Sequence, residues 1–393
     1  MPLRALDLFC GAGGFSLGLE RSGYDVIAGV DTDEKALDTY RLNHDHGYYF
    51  DLQNPPENLL DLIDLSPSDV DVIVGGPPCQ PYSPAGVNDP NDARRTLLLR
   101  YMDYVETLEP RAFIIENVKE LATKYEDHLN AVLDQADDAE YVTDYKVLTA
   151  SDYSIPQIRD RVFVVGILKD EGVEYNWPEP TTPDNSPPVW SILYSLDTDI
   201  PYPNQQKSNH DESVIEEWEN SSYKDDPYSG GSNHQIRLHP DEPSWSIIKN
   251  SHWHSGKPRQ LTPREEALIQ SFPLWYRFSG GKTSESEQIG NAVPPVLVGH
   301  VARKLLHALD EPTVNPVDEI EMSTEQVADL GGRLTARESE VLLYLSEGWE
   351  WSDIADEMDV TVPTVHEYRS RAVEKYQEAQ ETISMYERLR RGV

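Results

Sequence analysis

Cysteine is nearly absent. Two of 393 residues, Cys10 and Cys79, cannot build a disulfide framework, and no cysteine or histidine spacing suits a zinc site. His252-Trp-His254 supplies two imidazoles, too few for a centre, so no metal is expected. Long apolar runs are missing too. The longest are strand-sized, such as Val162-Phe-Val-Val-Gly-Ile-Leu168, well short of the roughly 18 residues of a membrane helix. The first residues lead into an apolar strand without a leader pattern. These absences predict a soluble, cytoplasmic chain with no membrane partner.

Bases are scarce: 33 Lys and Arg face 70 Asp and Glu, a formal net charge of −37. That balance ordinarily argues against nucleic acid. The acids are expected to run along the whole chain, which points to a halophilic protein, from a haloarchaeon, with an acidic surface that holds water; a merely acidic mesophilic enzyme is the alternative. In molar salt, counterion release contributes little to DNA affinity, and recognition shifts to base contacts. Charge therefore does not exclude DNA.

Residues 3–9 read as a buried strand that breaks into Gly11-Ala-Gly-Gly14 and a helix. Tyr24–Val30 is a second strand, ending at Asp31 and followed by a helix to about Leu42. Val70–Val74 is a third, running into Gly75-Gly-Pro-Pro-Cys79. A helix at Thr96–Leu108 precedes the strand Ala112–Glu116, and Tyr145–Leu148 and Arg161–Ile167 read as further strands. Strands alternating with helices predict an α/β fold with a doubly wound, largely parallel sheet. From 168 to 258 the pattern dissolves into Pro, Asn, Ser, Trp and Tyr, the mark of a separate irregular domain. Thr262 and Pro263 can open a helix, and another runs from Asn291 to about Leu309. Residues 310–333 read as a linker, 334–378 as three short helices of a helix-turn-helix, and 379–393 as a tail.

Glycines 11, 13 and 14 allow a ligand close to the backbone, and Asp31, about 20 residues on, can hold ribose hydroxyls, which suits an adenosine cofactor. Gly75-Gly-Pro-Pro-Cys79-Gln80 stiffens the chain where an open parallel sheet places its ligands, and presents a thiol there. Cys10 is better explained by packing. Glu116 emerges at the same sheet edge and can donate a proton if its pKa is raised. Arg159 and Arg161, two residues apart in an extended segment, can hold a base, a phosphate or nearby carboxylates.

In this order, Asp7-Leu-Phe-Cys-Gly-Ala-Gly-Gly-Phe15, Gly76-Pro-Pro-Cys-Gln80, Glu116-Asn-Val118, Gln157-x-Arg-x-Arg161 and Gln288-Ile-Gly-Asn-Ala-Val293 resemble the signature motifs of the DNA cytosine-C5 methyltransferase family. The resemblance implies a Rossmann-like class I methyltransferase domain over 1–167 and 259–309, with 168–258 as target-recognition domain. It implies S-adenosyl-L-methionine as cofactor, lined by Phe9, Gly11, Gly13, Phe15, Asp31, Asp51, Pro77, Leu97, Asn291 and Val293. Cys79 would attack C6 of a cytosine flipped out of double-stranded DNA, Glu116 would protonate or hydrogen-bond N3, and Arg159 and Arg161 would steady the base and the loop after Cys79. Covalent attack is needed because C5 is a poor nucleophile, and flipping because it is hidden in the stack. Gln80 and Ser83 would touch DNA.

The C-terminal unit resembles LuxR-type and sigma-region-4-like helix-turn-helix domains through Leu334-Thr-Ala-Arg-Glu-Ser-Glu-Val341, Ile354-Ala355 and Val362-Pro-Thr-Val-His-Glu-Tyr-Arg369. Thr364, His366, Arg369 and Arg371 are its candidate DNA contacts, with a protein-interaction module as the rival reading. The whole is expected to be a DNA (cytosine-5)-methyltransferase acting as a monomer on DNA, alone or beside a cognate restriction endonuclease. A transfer-RNA cytosine methyltransferase and a DNA-binding regulator with a retired catalytic domain are the alternatives.

Overall fold

The computed structural model describes residues 2–53, 63, 65–78, 96–183, 186–193, 203–205, 215, 236–248 and 252–309, and further on only Met358, Thr364, Val365, Tyr368 and Arg371. The chain divides into two compact units, Met1–Asp310 and Glu311–Val393. The boundary falls at the start of the expected linker.

Unit 1 is built on a seven-stranded sheet: β1 (Arg4–Leu8), β2 (Asp25–Asp31), β3 (Gly47–Tyr49), β4 (Val72–Gly75), β5 (Ala112–Val118), β6 (Tyr141–Thr149) and β8 (Asp160–Leu168). Its order is β3-β2-β1-β4-β5-β8-β6. The first five strands pair in parallel, while β8 runs antiparallel to both β5 and β6. The order reverses between β1 and β4, and an open α/β sheet forms its crevice at that switch.

Both faces of the sheet are covered, so its central strands are mainly apolar, with Asp7 in β1 and Glu116 and Asn117 near the end of β5 as the buried or half-buried exceptions. Leu6, Leu8, Ile73, Phe113, Ile115 and Val164 point to one face, beneath helices α3 (Leu97–Leu108) and α4 (Glu126–Asp138). Ala5, Val72, Val74, Ile114, Phe163 and Val165 point to the other, beneath α1 (Gly14–Glu20) and the last helix of the unit, Pro295–Leu309. That alternation is the period of two of a pleated strand. Gly18 admits the last helix: a Cβ there would lie 2.5 Å from Val298 Cβ and 2.6 Å from Pro295 O.

Beside α1, the helix α2 (Glu34–Asn43) starts on Asp33, whose side chain accepts from Lys35 N and Ala36 N. Short pieces accompany the sheet: β7 (Gln157–Ile158) just before β8, and after it α5 (Trp190–Leu193), β9 (Ile236–Arg237), β10 (Ser244–Trp245) and β11 (His252–Trp253). β10 pairs with β7, and β11 with β9. The helix α6 (Pro263–Ile269) opens as the sequence predicts, with Thr262 and Glu265 in a reciprocal capping box and Pro263 in the first turn. Next come α7 (Lys282–Asn291) and α8 (Pro295–Leu309). The expected helix from Asn291 thus begins four residues later, where Pro294 and Pro295 interrupt α7. Leu238, Ile247, Leu261, Phe272, Tyr276 and Ile289 form a third core that binds the irregular region to α6 and α7.

Candidate active site

The chain leaves β1 through a turn that three residues take in the left-handed region: Phe9 (φ 61°), Gly11 (φ 52°) and Gly13 (φ 89°). The two glycines serve different ends. A Cβ on Gly11 would meet nothing within 4 Å, and its backbone faces a cavity. Gly13 faces inward, where a Cβ would lie 2.6 Å from His44 Nε2 and against the Tyr276 hydroxyl. Asp31, at the end of β2, ties this turn to its own loop. Gly11 N donates to Oδ2 at 2.8 Å, and Thr32 N and Asp33 N donate to Oδ1 at 2.7 and 2.8 Å.

At the end of β4, Pro77 O accepts from Asn117 Nδ2 at 3.1 Å, so β5 holds the segment that leads to Cys79. Glu116 lies diagonally across from Arg161, on a face shared by the register Glu116↔Phe163 and Val118↔Arg161. Arg161 Nε meets Glu116 Oε1 at 2.8 Å with both side chains largely buried. Burial pushes the Glu116 carboxyl above its ordinary range, and the Arg161 and Arg159 guanidiniums hold that rise in check.

Arg159 stands apart from the cavity. Its Nη1 donates to Ile247 O at 3.2 Å, and its Nη2 to Gly290 O at 2.8 Å and Ala292 O at 3.0 Å. Gln157 Nε2 donates to Gln270 Oε1, and Gln270 Nε2 to Ala292 O. This buried network fixes the turn between α7 and α8.

A cavity of about 920 Å³ opens at the sheet's switch point. Nine of the ten expected cofactor residues line it: Phe9, Gly11, Phe15, Asp31, Asp51, Pro77, Leu97, Asn291 and Val293. Gly13 does not, because it supplies the turn and leaves room for Tyr276. Glu116 and Arg161 line the same cavity. Cys10 lines it as well, but burial and the neighbouring Asp7 and Asp31 push its thiol up, against thiolate chemistry. Cys79, Gln80 and Ser83 lie outside the described residues, as do His366 and Arg369. Thr364 and Arg371 are helical and partly buried in unit 2, near the fully buried Val365.

Sequence reading assigned nothing to Asn117, although it sits inside a quoted motif, nor to Gln270. Thr283, Ser284 and Glu287 of α7 also line the cavity and carried no signal in the sequence. Among the described residues no group of three or more His, Cys, Asp or Glu could hold a metal ion, and no helix is long and apolar enough to cross a membrane.

The acids do not run evenly along the chain. Residues 227–309 carry nine Lys and Arg against six Asp and Glu, so the excess belongs to the remainder. This near-neutral stretch holds α6, α7 and the cavity wall at Asn291–Val293.

Residues 3–307 match the family model described as C-5 cytosine-specific DNA methylase. The chain belongs to that family. Among its relatives, the Type II methyltransferase M1.HphI of Haemophilus parahaemolyticus is 33% identical over 329 residues, covering 78% of this chain and 87% of that protein. M.AplI of Arthrospira platensis, also a Type II methyltransferase, is 31% identical, covering 80% of this chain and 89% of its own. A solved E. coli prophage protein, assigned to the DNA modification methyltransferases, superposes with a TM-score of 0.64 at 26% identity, over 79% of this chain and all of that one. The S. pombe Dnmt2 methyltransferase shares the fold, with a TM-score of 0.57 at 18% identity over 79% of this chain and all of its own. Residues 333–382 match a second family, the bacterial regulatory proteins of the luxR family. This cytosine methylase thus carries a helix-turn-helix unit beyond its catalytic one.

Proposed function

We propose that the protein transfers a methyl group from S-adenosyl-L-methionine to C5 of a cytosine flipped out of a specific double-stranded DNA sequence. The observation that carries this reading is one cavity joining the glycine turn and Asp31 to the Glu116–Arg161 pair. The lining fits the cofactor. Asp31 offers a carboxylate to ribose hydroxyls, Asp51 faces the adenine, and Phe9, Phe15, Leu97 and Val293 supply apolar walls. When bound, the cofactor supplies an electrophilic methyl group on a sulfonium.

The chain's own residues do the rest. Cys79, next in the chain after Pro77 and Pro78, attacks C6 as thiolate and makes C5 nucleophilic. Glu116, its carboxyl raised by burial, holds a proton at cytosine N3. Arg161 fixes the Glu116 carboxyl and faces the base from the same cavity. Arg159 acts indirectly, by holding the wall at Gly290–Ala292. Loss of the C5 proton and of the thiol restores the ring. Unit 2 adds DNA binding through Thr364, His366, Arg369 and Arg371. The enzyme works as a monomer on DNA, and the Type II relatives favour a partner restriction endonuclease.

The test is methylation of plasmid DNA with S-adenosylmethionine, at low and molar salt, read by bisulfite sequencing beside Cys79→Ala. A C5 mark at one short motif, made by the wild type alone, is the expected result. Transfer to RNA alone, or none at any salt by folded, cofactor-bound protein, overturns the reading.

A further inference from the structure

We propose that Ile248 contacts DNA and helps determine which sequence is methylated. The inference rests on the methyltransferase reading above and adds a residue to it.

Ile248 is 54% exposed, while its neighbour Ile247 is fully buried. Single exposed apolar side chains are common on protein surfaces. What sets this one apart is the backbone that carries it. Ile247 N donates to Gln157 Oε1 at 2.8 Å, Ile247 O accepts from Arg159 Nη1 at 3.2 Å, and Ser246 Oγ donates to Ile158 O at 3.1 Å. Just upstream, Ser244 and Trp245 pair with Gln157 and Ile158.

Every one of these anchors comes from the stretch Gln157–Arg161. Its last residue grips Glu116 inside the cavity. Its Arg159 also holds Ala292 in the cavity wall, so the carbonyls of Ile247 and Ala292 share one guanidinium. The apolar side chain therefore follows directly on a backbone that is tied, through Arg159, to the cavity wall at Ala292. A side chain so held loses little freedom on binding.

Its chemistry suits base edges rather than phosphates: a thymine methyl in the major groove, or an opened base step. The local charge permits the approach. Residues 241–266 hold four bases and four acids, with Arg259 paired to Glu265, so this stretch is near neutral within a chain of net charge −37.

The experiment compares the full chain with Ile248→Ser, Ile248→Val and Val142→Ser on plasmid DNA. Val142 is the matched control, 59% exposed on the edge strand β6. Ile248→Ser is expected to raise KM for DNA about fivefold or more and to alter the methylated motif. KM for S-adenosylmethionine stays unchanged, and both Ile248→Val and Val142→Ser behave as wild type. An Ile248→Ser enzyme with wild-type KM for DNA and wild-type motif overturns the proposal, as does an equal rise in Val142→Ser. Both outcomes presuppose methyl transfer by the wild type; its absence instead defeats the underlying reading.

Discussion

His44 Nε2 and the Tyr276 hydroxyl lie 3.0 Å apart in the interior and together occupy the space that a side chain on Gly13 would need. The contact is one link in a chain. Glu20 Oε1 meets His44 Nδ1 at 2.8 Å, and the Tyr276 hydroxyl donates to Ala12 O. The end of α1, the end of α2 and the segment after α6 thereby hold the glycine turn from beneath, on the side away from the cavity.

Tyr276→Phe removes the donor to Ala12 and leaves His44 without that contact. It should cost about 1–2 kcal/mol in urea unfolding and raise KM for S-adenosylmethionine more than it lowers kcat. Gly13→Ala adds left-handed strain to overpacking and should cost about 2–4 kcal/mol. Equal stability of Gly13→Ala and wild type would contradict this packing.

The Glu116–Arg161 pair makes a pH prediction. Arg161 lowers the Glu116 pKa against the rise caused by burial. Removing it in Arg161→Gln lets that pKa climb further, so the carboxyl keeps its proton to higher pH. The alkaline limb of the rate profile should move upward while kcat drops by about tenfold or more. Glu116→Gln should lose that limb altogether.

Arg159 spans three carbonyls with a planar fork that lysine cannot copy. Arg159→Lys should raise KM for both cofactor and DNA, because it loosens the wall at Ala292 and the segment at Ile247 together. Gln270→Leu, which leaves the Arg159 bond to Ile247 in place, should raise the cofactor KM more than the DNA KM. Titration of each variant with each substrate separates the two.

Glu266 on α6 is almost wholly buried, and burial pushes its carboxyl to about 8, against the opposing pull of Ser286 and Lys282. The folded state keeps this proton up to that pH, whereas the unfolded chain releases it near the ordinary 4.5. The unfolded state therefore binds fewer protons between those values, and stability falls as pH rises through them. Glu266→Gln should gain on wild type from about pH 4.5 to about pH 8, by a few kcal/mol at most, and hold that gain beyond. A pH-independent difference in urea unfolding would show that the carboxyl titrates normally.

The acid excess outside residues 227–309 implies repulsion that salt screens. Thermal midpoints should rise steeply from about 0.1 M to molar salt. A midpoint that ignores salt would count against a halophilic origin.

The sequence made the sheet legible where strands are buried on both faces. Leu6–Leu8, Val72–Val74 and Phe113–Ile115 have no polar interruption except Asp7, so the strands announce themselves. The helix α4 is faint in the sequence because eight of its thirteen residues are polar, although Leu129, Val132, Leu133 and Ala136 keep helical spacing. β3 is three residues long and α7 is polar almost throughout, so neither carries a periodic signal. At the site, short motifs revealed the cavity lining because they cluster at element ends: the turns after β1 and β4, the last residues of β5, the start of β8 and the end of α7. The division of labour between Arg159 and Arg161 was not legible. It depends on where Ile247, Gly290 and Ala292 bring their carbonyls, about 90 to 130 positions away along the chain.

The close approach of α1 to α8 sets a timetable for synthesis. Without a side chain at Gly14, the backbone of Val293 can press against the first helix, and Gly18 admits Val298 in the same way. A ribosome that has delivered the glycine turn, the motif around Cys79 and the Glu116–Arg161 pair has still not delivered the wall at Asn291–Val293. The nascent protein therefore holds this set for about a third of translation, the 130 positions from Arg161 to Asn291 in a chain of 393, without a finished pocket. Competence to modify a genome arrives late and all at once, when the last helix of the unit docks on the first.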